Sequence, residues 1–310
     1  MKKTFIYSAI VLLLAVVACN KIDSTVSEEP IRFAFATEAT RSLVESNTDL
    51  QAQTIKVYDD KGAASYYIDD AVTYGAGTWN FTSGRAYTWR TGSHKFFAFT
   101  DGAGSFDDKK LTIEKTLTTA DADQVDLLYS DIVPKAESDA GTTVTIPMNH
   151  LFAAVGIMVK NATSGEVTVK SVSKPAIANN GSATVDFSGS EVSVSYGTVT
   201  ASGDYSSTAI SNLTLAASGL ADIIAQTAAI ANAYWLAWPQ EVSAEGLTVA
   251  IEYTIGSKTY SQEVKLPAAA ATWTAGYKYL YTISINPHDI VLDFTVTDWV
   301  TNAETTIIVE

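Results

Sequence analysis

Three residue classes are scarce in this 310-residue chain, and each shortage excludes a class of site. A single cysteine leaves no intramolecular disulfide framework and no multi-cysteine zinc or iron–sulfur centre. Only three histidines occur, far apart in the sequence, so a histidine-rich metal centre is not expected. The formal net charge of −14 provides no surplus of lysine and arginine for nucleic-acid phosphates. We therefore expect no metal, no cofactor and no nucleic-acid partner.

Sequence patterns that mark common catalytic sites are also missing. The chain has no Gly-x-Ser-x-Gly and no Gly-x-Gly-x-x-Gly pattern. Residues 121–126 resemble the start of a calcium loop, but Asp126 stands where such a loop needs glycine and Ile132 where it needs a carboxylate. The histidines are interpreted as capping or core residues: His94, His150 and His288. We predict no catalytic residues and a protein that is not an enzyme.

The first 18 residues have the features of a secretory signal. Lys2 and Lys3 precede an apolar run that ends at Ala18, shorter than the roughly 20 residues that a membrane span needs. The order Val16-Val17-Ala18-Cys19 resembles the lipobox of bacterial lipoproteins, in which the cysteine is acylated and becomes the first mature residue. We expect Cys19 to carry a lipid, the only membrane attachment, and residues 19–30 to form a polar tether. A simple secretory signal remains the alternative.

From residue 31 onward the pattern is that of an all-β protein. Apolar and polar residues alternate in short runs such as Ile31 to Phe35 and Val167 to Val172, and turn residues separate the runs. Phe96 to Phe99 is continuously apolar, as expected of a strand covered on both faces. Residues 219–231 show helical spacing in an alanine-rich stretch and predict a short helix. We expect two sandwich domains, 31–155 and 156–310, with at most one or two short helices.

Six tryptophans admit two interpretations. They can fill the sandwich cores, since an aromatic side chain buries a large area. Alternatively, exposed rings can stack on sugars in a binding module, with Trp79 and Trp235 as the residues to test.

The order of several motifs resembles the Bacteroidetes fimbrillin superfamily. The C-terminal run from Trp273 through Gly276 and Tyr277 to Ile283, followed by a strand that ends in Val296-Thr297-Asp298-Trp299, is similar to the closing pattern of that family. Earlier motifs of the chain also resemble that family and occur in the same order. They are Ile31-Arg32-Phe33 with Thr40-Arg41, Phe97-Ala98-Phe99, Asp126 to Ser130, His150 with the strand after it, and Trp235 to Gln240. Together with the lipobox, the resemblance covers nearly the whole chain.

The resemblance implies a fold, a location and a way of assembling. It implies two tandem transthyretin-like β-sandwich domains, secreted as a lipoprotein to the outer membrane and cell surface, and assembled with other fimbrillin subunits into a type V fimbria. In that family the first strand is released by proteolysis after an arginine, here Arg41. The displaced strand would present Ile31, Phe33 and Phe35. The alternative is that Arg41 is an ordinary loop arginine and the subunit keeps its anchor.

The end of the chain is the candidate donor strand, with Thr305, Ile307 and Val309 as its side chains. The roughly 11 residues after Trp299 reach about 36 Å when extended, which looks short for a donor that crosses between subunits. The alternative is that these residues form the last strand of their own domain. The sequence thus predicts a tip or accessory fimbrillin that adheres to a host or bacterial receptor. The alternative is a surface-anchored lipoprotein that binds glycan or protein and does not polymerise.

Overall fold

The computed structural model describes residues 26–36, 47–62, 64–117, 125–172, 178–200, 212–222, 235–241, 248–265, 272–286, 290–298 and 304–305. These residues are almost all in strands, with one short α-helix, Asn47–Gln51 (α1), and one 3-10 helix, Glu137–Asp139. The prediction of an all-β fold is therefore confirmed. No helix in these ranges is long and apolar enough to cross a membrane. The predicted signal peptide, Cys19, Arg41, Ile307 and Val309 lie outside the described residues.

Within the described ranges, twelve strands precede residue 151. In chain order they are Val26–Pro30 (β1), Arg32–Ala36 (β2), Ile55–Asp59 (β3), Ile68–Gly75 (β4), Thr78–Phe81 (β5), Thr88–Arg90 (β6), His94–Thr100 (β7), Ser105–Asp107 (β8), Lys110–Thr116 (β9), Leu128–Ser130 (β10), Val133–Lys135 (β11) and Thr143–His150 (β12). Eight of them form one sheet in the order β2-β12-β10-β7-β3-β4-β5, with β11 added beside β7. A two-stranded sheet joins β1 to β6.

Fourteen strands follow in the part of the chain that the structure describes. They are Ala153–Asn161 (β13), Val167–Val172 (β14), Asn180–Asp186 (β15), Ser193–Tyr196 (β16), Leu213–Leu215 (β17), Leu220–Asp222 (β18), Trp235–Ala237 (β19), Gln240–Glu241 (β20), Thr248–Ile255 (β21), Lys258–Lys265 (β22), Thr272–Trp273 (β23), Tyr277–Ile285 (β24), Ile290–Asp298 (β25) and Glu304–Thr305 (β26). One sheet has the order β18-β13-β24-β25-β26, with β19 also beside β13, and a second has the order β17-β14-β21-β22.

The strands at the centre of the first sheet are buried on both faces. Along β7, Phe96, Phe97, Ala98 and Phe99 are all at most 4% exposed, which confirms the expectation from their continuous apolar run. Phe96 and Ala98 belong to the core that also contains β2, whereas Phe97 and Phe99 belong to the larger core shared with the second half of the chain. The ring of Phe97 stacks on Phe187, with the centroids 4.5 Å apart. The two halves of the chain are therefore packed through aromatic contacts.

A four-stranded sheet, β16-β15-β9-β8, joins parts of the chain that are distant in sequence. Its central ladder pairs Lys110 with Asp186 and Thr116 with Asn180. This sheet spans the boundary predicted between residues 155 and 156, and that boundary itself lies inside β13. The division into two sandwich domains stays a prediction, and Leu151–Phe152, between β12 and β13, is the better candidate for the junction.

Two local expectations differ from the structure. The helix predicted over 219–231 is wrong at residues 220–222, which form β18 and pair with Met158 to Lys160; residues 223–231 lie outside the described ranges. The edge of β13 needs backbone partners there, and this need outweighs local helix propensity. The predicted tether 19–30 also ends earlier than expected, because Val26–Pro30 forms β1 against Thr88–Arg90. This strand is held by backbone pairing and so lacks an apolar alternation.

Candidate functional site

The candidate displaced strand, residues 31–36, covers one side of the first core. Its apolar side chains are buried, with Ile31 4%, Phe33 6% and Phe35 7% exposed, while Arg32 and Ala36 are exposed. This is the period-two pattern of a strand with one covered face. Burying a side chain of this size contributes roughly 1.5–3 kcal/mol, so the segment is held by its side chains as well as by its backbone.

The aromatic side chains of β2 contact the opposite edge of the same sheet. Phe33 lies edge-to-face against Phe81 and Phe96, with centroid distances of 5.8 and 5.5 Å. Phe35 makes the same kind of contact with Trp79 at 4.8 Å. The sheet therefore curls until its first and last strands, β2 and β5, meet through side chains. Among the described residues no backbone ladder joins the two strands, so the closure is incomplete.

Within the described residues, backbone pairing holds β2 along one side only. The strand runs parallel to β12, from Arg32 opposite Thr143 to Ala36 opposite Pro147. Proline has no N–H to donate, so the ladder is weaker at that end. The first strand of the second half, β13, is also parallel to a later strand, β24, but β18 and β19 cover its other edge. Within the described residues, β2 thus has a ladder along one edge, whereas β13 has ladders along both.

The residues just before β2 are attached elsewhere. The Ile31 N–H donates to the Tyr87 carbonyl at 2.9 Å, and β1 continues this contact along β6. The N-terminal segment thus crosses from one ladder to another between Pro30 and Arg32. Release of residues 26–36 requires both ladders to open.

A network around Asp70 orders the loop beside β5. The buried Asp70 carboxylate accepts hydrogen bonds from the Ser83 hydroxyl, the Tyr87 hydroxyl (3.3 Å) and the Ala71 N–H (2.8 Å). Burial acts to raise the pKa of Asp70, but the hydrogen bonds from Ser83 and Ala71 outweigh it and hold the pKa below its usual value. In the same loop Gly84 has a φ of +70°, a conformation that favours glycine.

This loop and the two sheet edges enclose an open cleft of about 250 Å³. Arg32 from β2 and Arg85 from the loop line it, together with Trp79, Asn80 and Phe81 of β5. Sequence reasoning singled out Trp79 but missed both arginines, because no local pattern shows that β2 and β5 meet.

Two histidines form buried pairs with aspartates. His94 Nδ1 lies 2.5 Å from Asp59 Oδ2, and His150 Nδ1 lies 2.7 Å from Asp126 Oδ2. All four side chains are at most 1% exposed. These are core positions, as interpreted from the sequence; His288 lies outside the described residues.

The remaining tryptophans of the described ranges are core residues. Each is at most 1% exposed, and they are Trp89, Trp235, Trp238 and Trp273. Burial removes Trp235 as a sugar-stacking residue, whereas Trp79 is half-buried. The candidate donor residue Thr305 lies opposite Val296, at the edge of the sheet formed by the second half of the chain.

Comparison with known proteins shows which family and which solved structures this chain resembles. A family model described as fimbrillin-like matches residues 37–299. The structure of a proposed cell adhesion protein from Bacteroides uniformis is similar over 87% of this chain and 99% of that chain, with 20% identity and a TM-score of 0.51. One from Bacteroides ovatus covers 89% of this chain and 100% of its own, with 17% identity and a TM-score of 0.49. No curated protein matches significantly.

Proposed function

This chain belongs to the fimbrillin-like family, and we propose that it is a tip or accessory subunit of a surface fimbria whose first strand gives way to a neighbour's donor strand. Membership of the family supports a fimbrial subunit at the cell surface that associates with other fimbrial subunits and has a structural role. The proposal adds four points to this: the strand exchange, the accessory position, the lipid anchor at Cys19 and attachment to the outer membrane.

A single observation carries the proposal. The segment 31–36 buries Ile31, Phe33 and Phe35, yet among the described residues its strand β2 has a ladder along one edge only. Removing such a strand leaves an apolar groove and a row of unpaired backbone groups on β12. Another chain's strand can fill this groove by backbone pairing, with alternate side chains entering it.

The accessory position is supported by the end of the chain. Thr305 pairs with Val296 of its own sheet, as expected of a last strand rather than of a segment free to enter a neighbour. A stalk subunit needs both an exchangeable first strand and a free donor. In this proposal β2 is the exchangeable strand, and the pairing of Thr305 with Val296 counts against a free donor.

The test is limited cleavage by an arginine-specific protease of the purified secreted protein and of its Arg41→Gln variant. After cleavage of the wild-type protein at Arg41, the N-terminal segment should stay non-covalently bound and elute together with the rest of the protein on gel filtration. Adding a fimbrial subunit with a free donor strand should then expel the segment and give SDS-resistant complexes. The Arg41→Gln variant should do neither. Resistance of Arg41 to the protease, or immediate loss of the segment without a donor, would contradict the proposal.

A further inference from the structure

We propose that the cleft between β2 and β5 binds a carboxylated sugar residue, such as a uronic acid at the end of a glycan. The cleft is defined by Arg32, Trp79, Asn80, Phe81 and Arg85. Its two arginines come from different sides, one from β2 and the other from the loop after β5. The cleft belongs to the uncut protein, and exchange of β2 would remove Arg32, one of its two arginines.

The charge of the cleft is opposite to that of the chain. The protein carries a net charge of −14, so an anion is repelled by most of its surface and needs a local positive site. Within the described ranges, neither Arg32 nor Arg85 forms an ion pair with a carboxylate. The planar guanidinium group donates two parallel hydrogen bonds to a carboxylate. Two such groups at one opening indicate an anionic ligand.

The loop that carries Arg85 is ordered before any ligand arrives. The guanidinium carbon of Arg85 lies 5.0 Å from the centre of the Tyr87 ring, and the Tyr87 hydroxyl lies 3.3 Å from Asp70 Oδ2. The Asp70 carboxylate is thus engaged within the loop and the strand behind it. Binding of a ligand to Arg85 therefore costs little entropy for ordering the loop, which favours binding.

The aromatic wall distinguishes a sugar from a simple anion. Trp79 is held edge-to-face against Phe35 at 4.8 Å and Tyr74 at 5.5 Å. The residue is half-buried and lines the cleft together with Phe81. A small-molecule site combines apolar and aromatic walls with a few placed polar groups. Phosphate or sulfate has no apolar face for this wall, whereas a sugar ring presents one.

The size of the cleft limits the ligand to about one ring. Its volume of about 250 Å³ lies below the roughly 300–1,000 Å³ of sites for drug-sized ligands. A single terminal sugar fits this scale. Its carboxylate would meet the arginines and its ring would lie near Trp79.

The experiment is calorimetric titration of the intact, uncut protein with methyl glucuronide and, as the matched neutral ligand, methyl glucoside. Glucuronide should bind, glucoside should bind at least about tenfold more weakly, and salt should weaken glucuronide binding. Arg32→Gln and Arg85→Gln should each reduce glucuronide affinity at least about tenfold. Arg90→Gln is the control, because its Nε donates to the Tyr67 hydroxyl at 3.1 Å and the residue does not line the cleft.

Several outcomes would overturn the inference. They are absence of glucuronide binding, equal binding of glucoside, equal or tighter binding of inorganic phosphate or of a short polyglutamate peptide, and equal loss in Arg90→Gln. Melting temperatures of the three variants should match that of the wild-type protein, since all three arginines are exposed. A failure here would leave the strand-exchange proposal unaffected, because the protein is not cleaved in this experiment.

Discussion

The indole ring of Trp238 lies against the backbone of Gly181, so that a Cβ atom added to this glycine would sit 2.7 Å from Trp238 Cδ2. The ring is also held by a hydrogen bond, since Trp238 Nε1 donates to the carbonyl of Lys115, the residue paired with Gly181, at 3.1 Å. Gly181 is in β15 and Lys115 is in β9, so one tryptophan ties the shared four-stranded sheet to the larger core. Small size at residue 181 is therefore a packing requirement.

Gly181→Ala should destabilise the protein by about 1–3 kcal/mol, because the added methyl group forces a packed ring or strand to shift. The measurement is the change in melting temperature or in the denaturant midpoint. Gly75→Ala is the matched control, since a Cβ there meets nothing within 4 Å. Equal effects of the two substitutions would show that the contact with Trp238 is unimportant.

Phe33→Ala should cost about 3 kcal/mol, near the lower end of the range for truncating a buried phenylalanine. Phe33 loses its contacts with Phe81 and Phe96, but β2 is an edge strand and can adjust. Ala36→Ser, on the exposed side of the same strand, should change stability by less than about 0.5 kcal/mol. Unfolding by denaturant, followed by tryptophan fluorescence, compares the variants. A neutral Phe33→Ala would mean that β2 contributes little to the first core.

Acid should weaken the loop beside β5. Because the folded pKa of Asp70 lies below the ordinary value of 3.8, its stabilising effect is complete above that value and is lost as the pH falls through the folded pKa. The melting temperature should therefore fall as the pH is lowered from about 5 to 3. Asp70→Asn should lower stability at neutral pH and flatten this acid dependence. Asp107→Asn, which removes an exposed carboxylate, should leave the dependence of melting temperature on pH unchanged. The same dependence in Asp70→Asn as in the wild-type protein would show that Asp70 is not its source.

Deleting residues 305–310 distinguishes a last strand from a donor. Thr305 is paired with Val296, so we expect the truncated protein to be less stable or to aggregate. Light scattering and melting temperature measure this. A stable monomer that no longer forms SDS-resistant ladders with native subunits would instead identify this segment as a donor and the protein as a stalk subunit.

Cys19→Ser should abolish incorporation of labelled palmitate and retention in the outer membrane, because the chain contains no other thiol. The measurement is metabolic labelling of cells that produce each form, followed by membrane fractionation. Unchanged labelling of the variant would exclude lipidation at Cys19.

Local sequence predicted well the strands with a clear pattern of burial, whether one face is covered or, as at Phe96 to Phe99, both. Val167 to Val172 alternates and forms β14 over the predicted residues. Val26–Pro30 carries no such signal, because backbone pairing with β6 requires no alternation. Leu220 is 54% exposed, so its apolar character says little about its partner. Residues 220–222 form a strand and not a helix because they pair with β13, which is distant in sequence.

The candidate site was predictable only in part. The burial of Ile31, Phe33 and Phe35 follows from period-two alternation within one segment. The cleft does not, because Arg32 and Arg85 lie on separate elements and meet only when the sheet curls until β2 faces β5. Pairings such as Lys110 with Asp186 likewise depend on the whole fold, which is why the domain boundary could not be read from composition.

The parallel pairing of β2 with β12 also sets how the subunit would resist mechanical force. The chain leaves β12 at His150 and enters the second half at β13, whereas a membrane tether would pull from the N-terminal side of β2. In parallel strands these two points lie at opposite ends of the ladder, so the five pairs from Arg32–Thr143 to Ala36–Pro147 are sheared together rather than opened one at a time. Single-molecule pulling between the two chain ends should therefore show a force peak for loss of β2 once the β1–β6 ladder has opened, and Phe33→Ala should lower this peak.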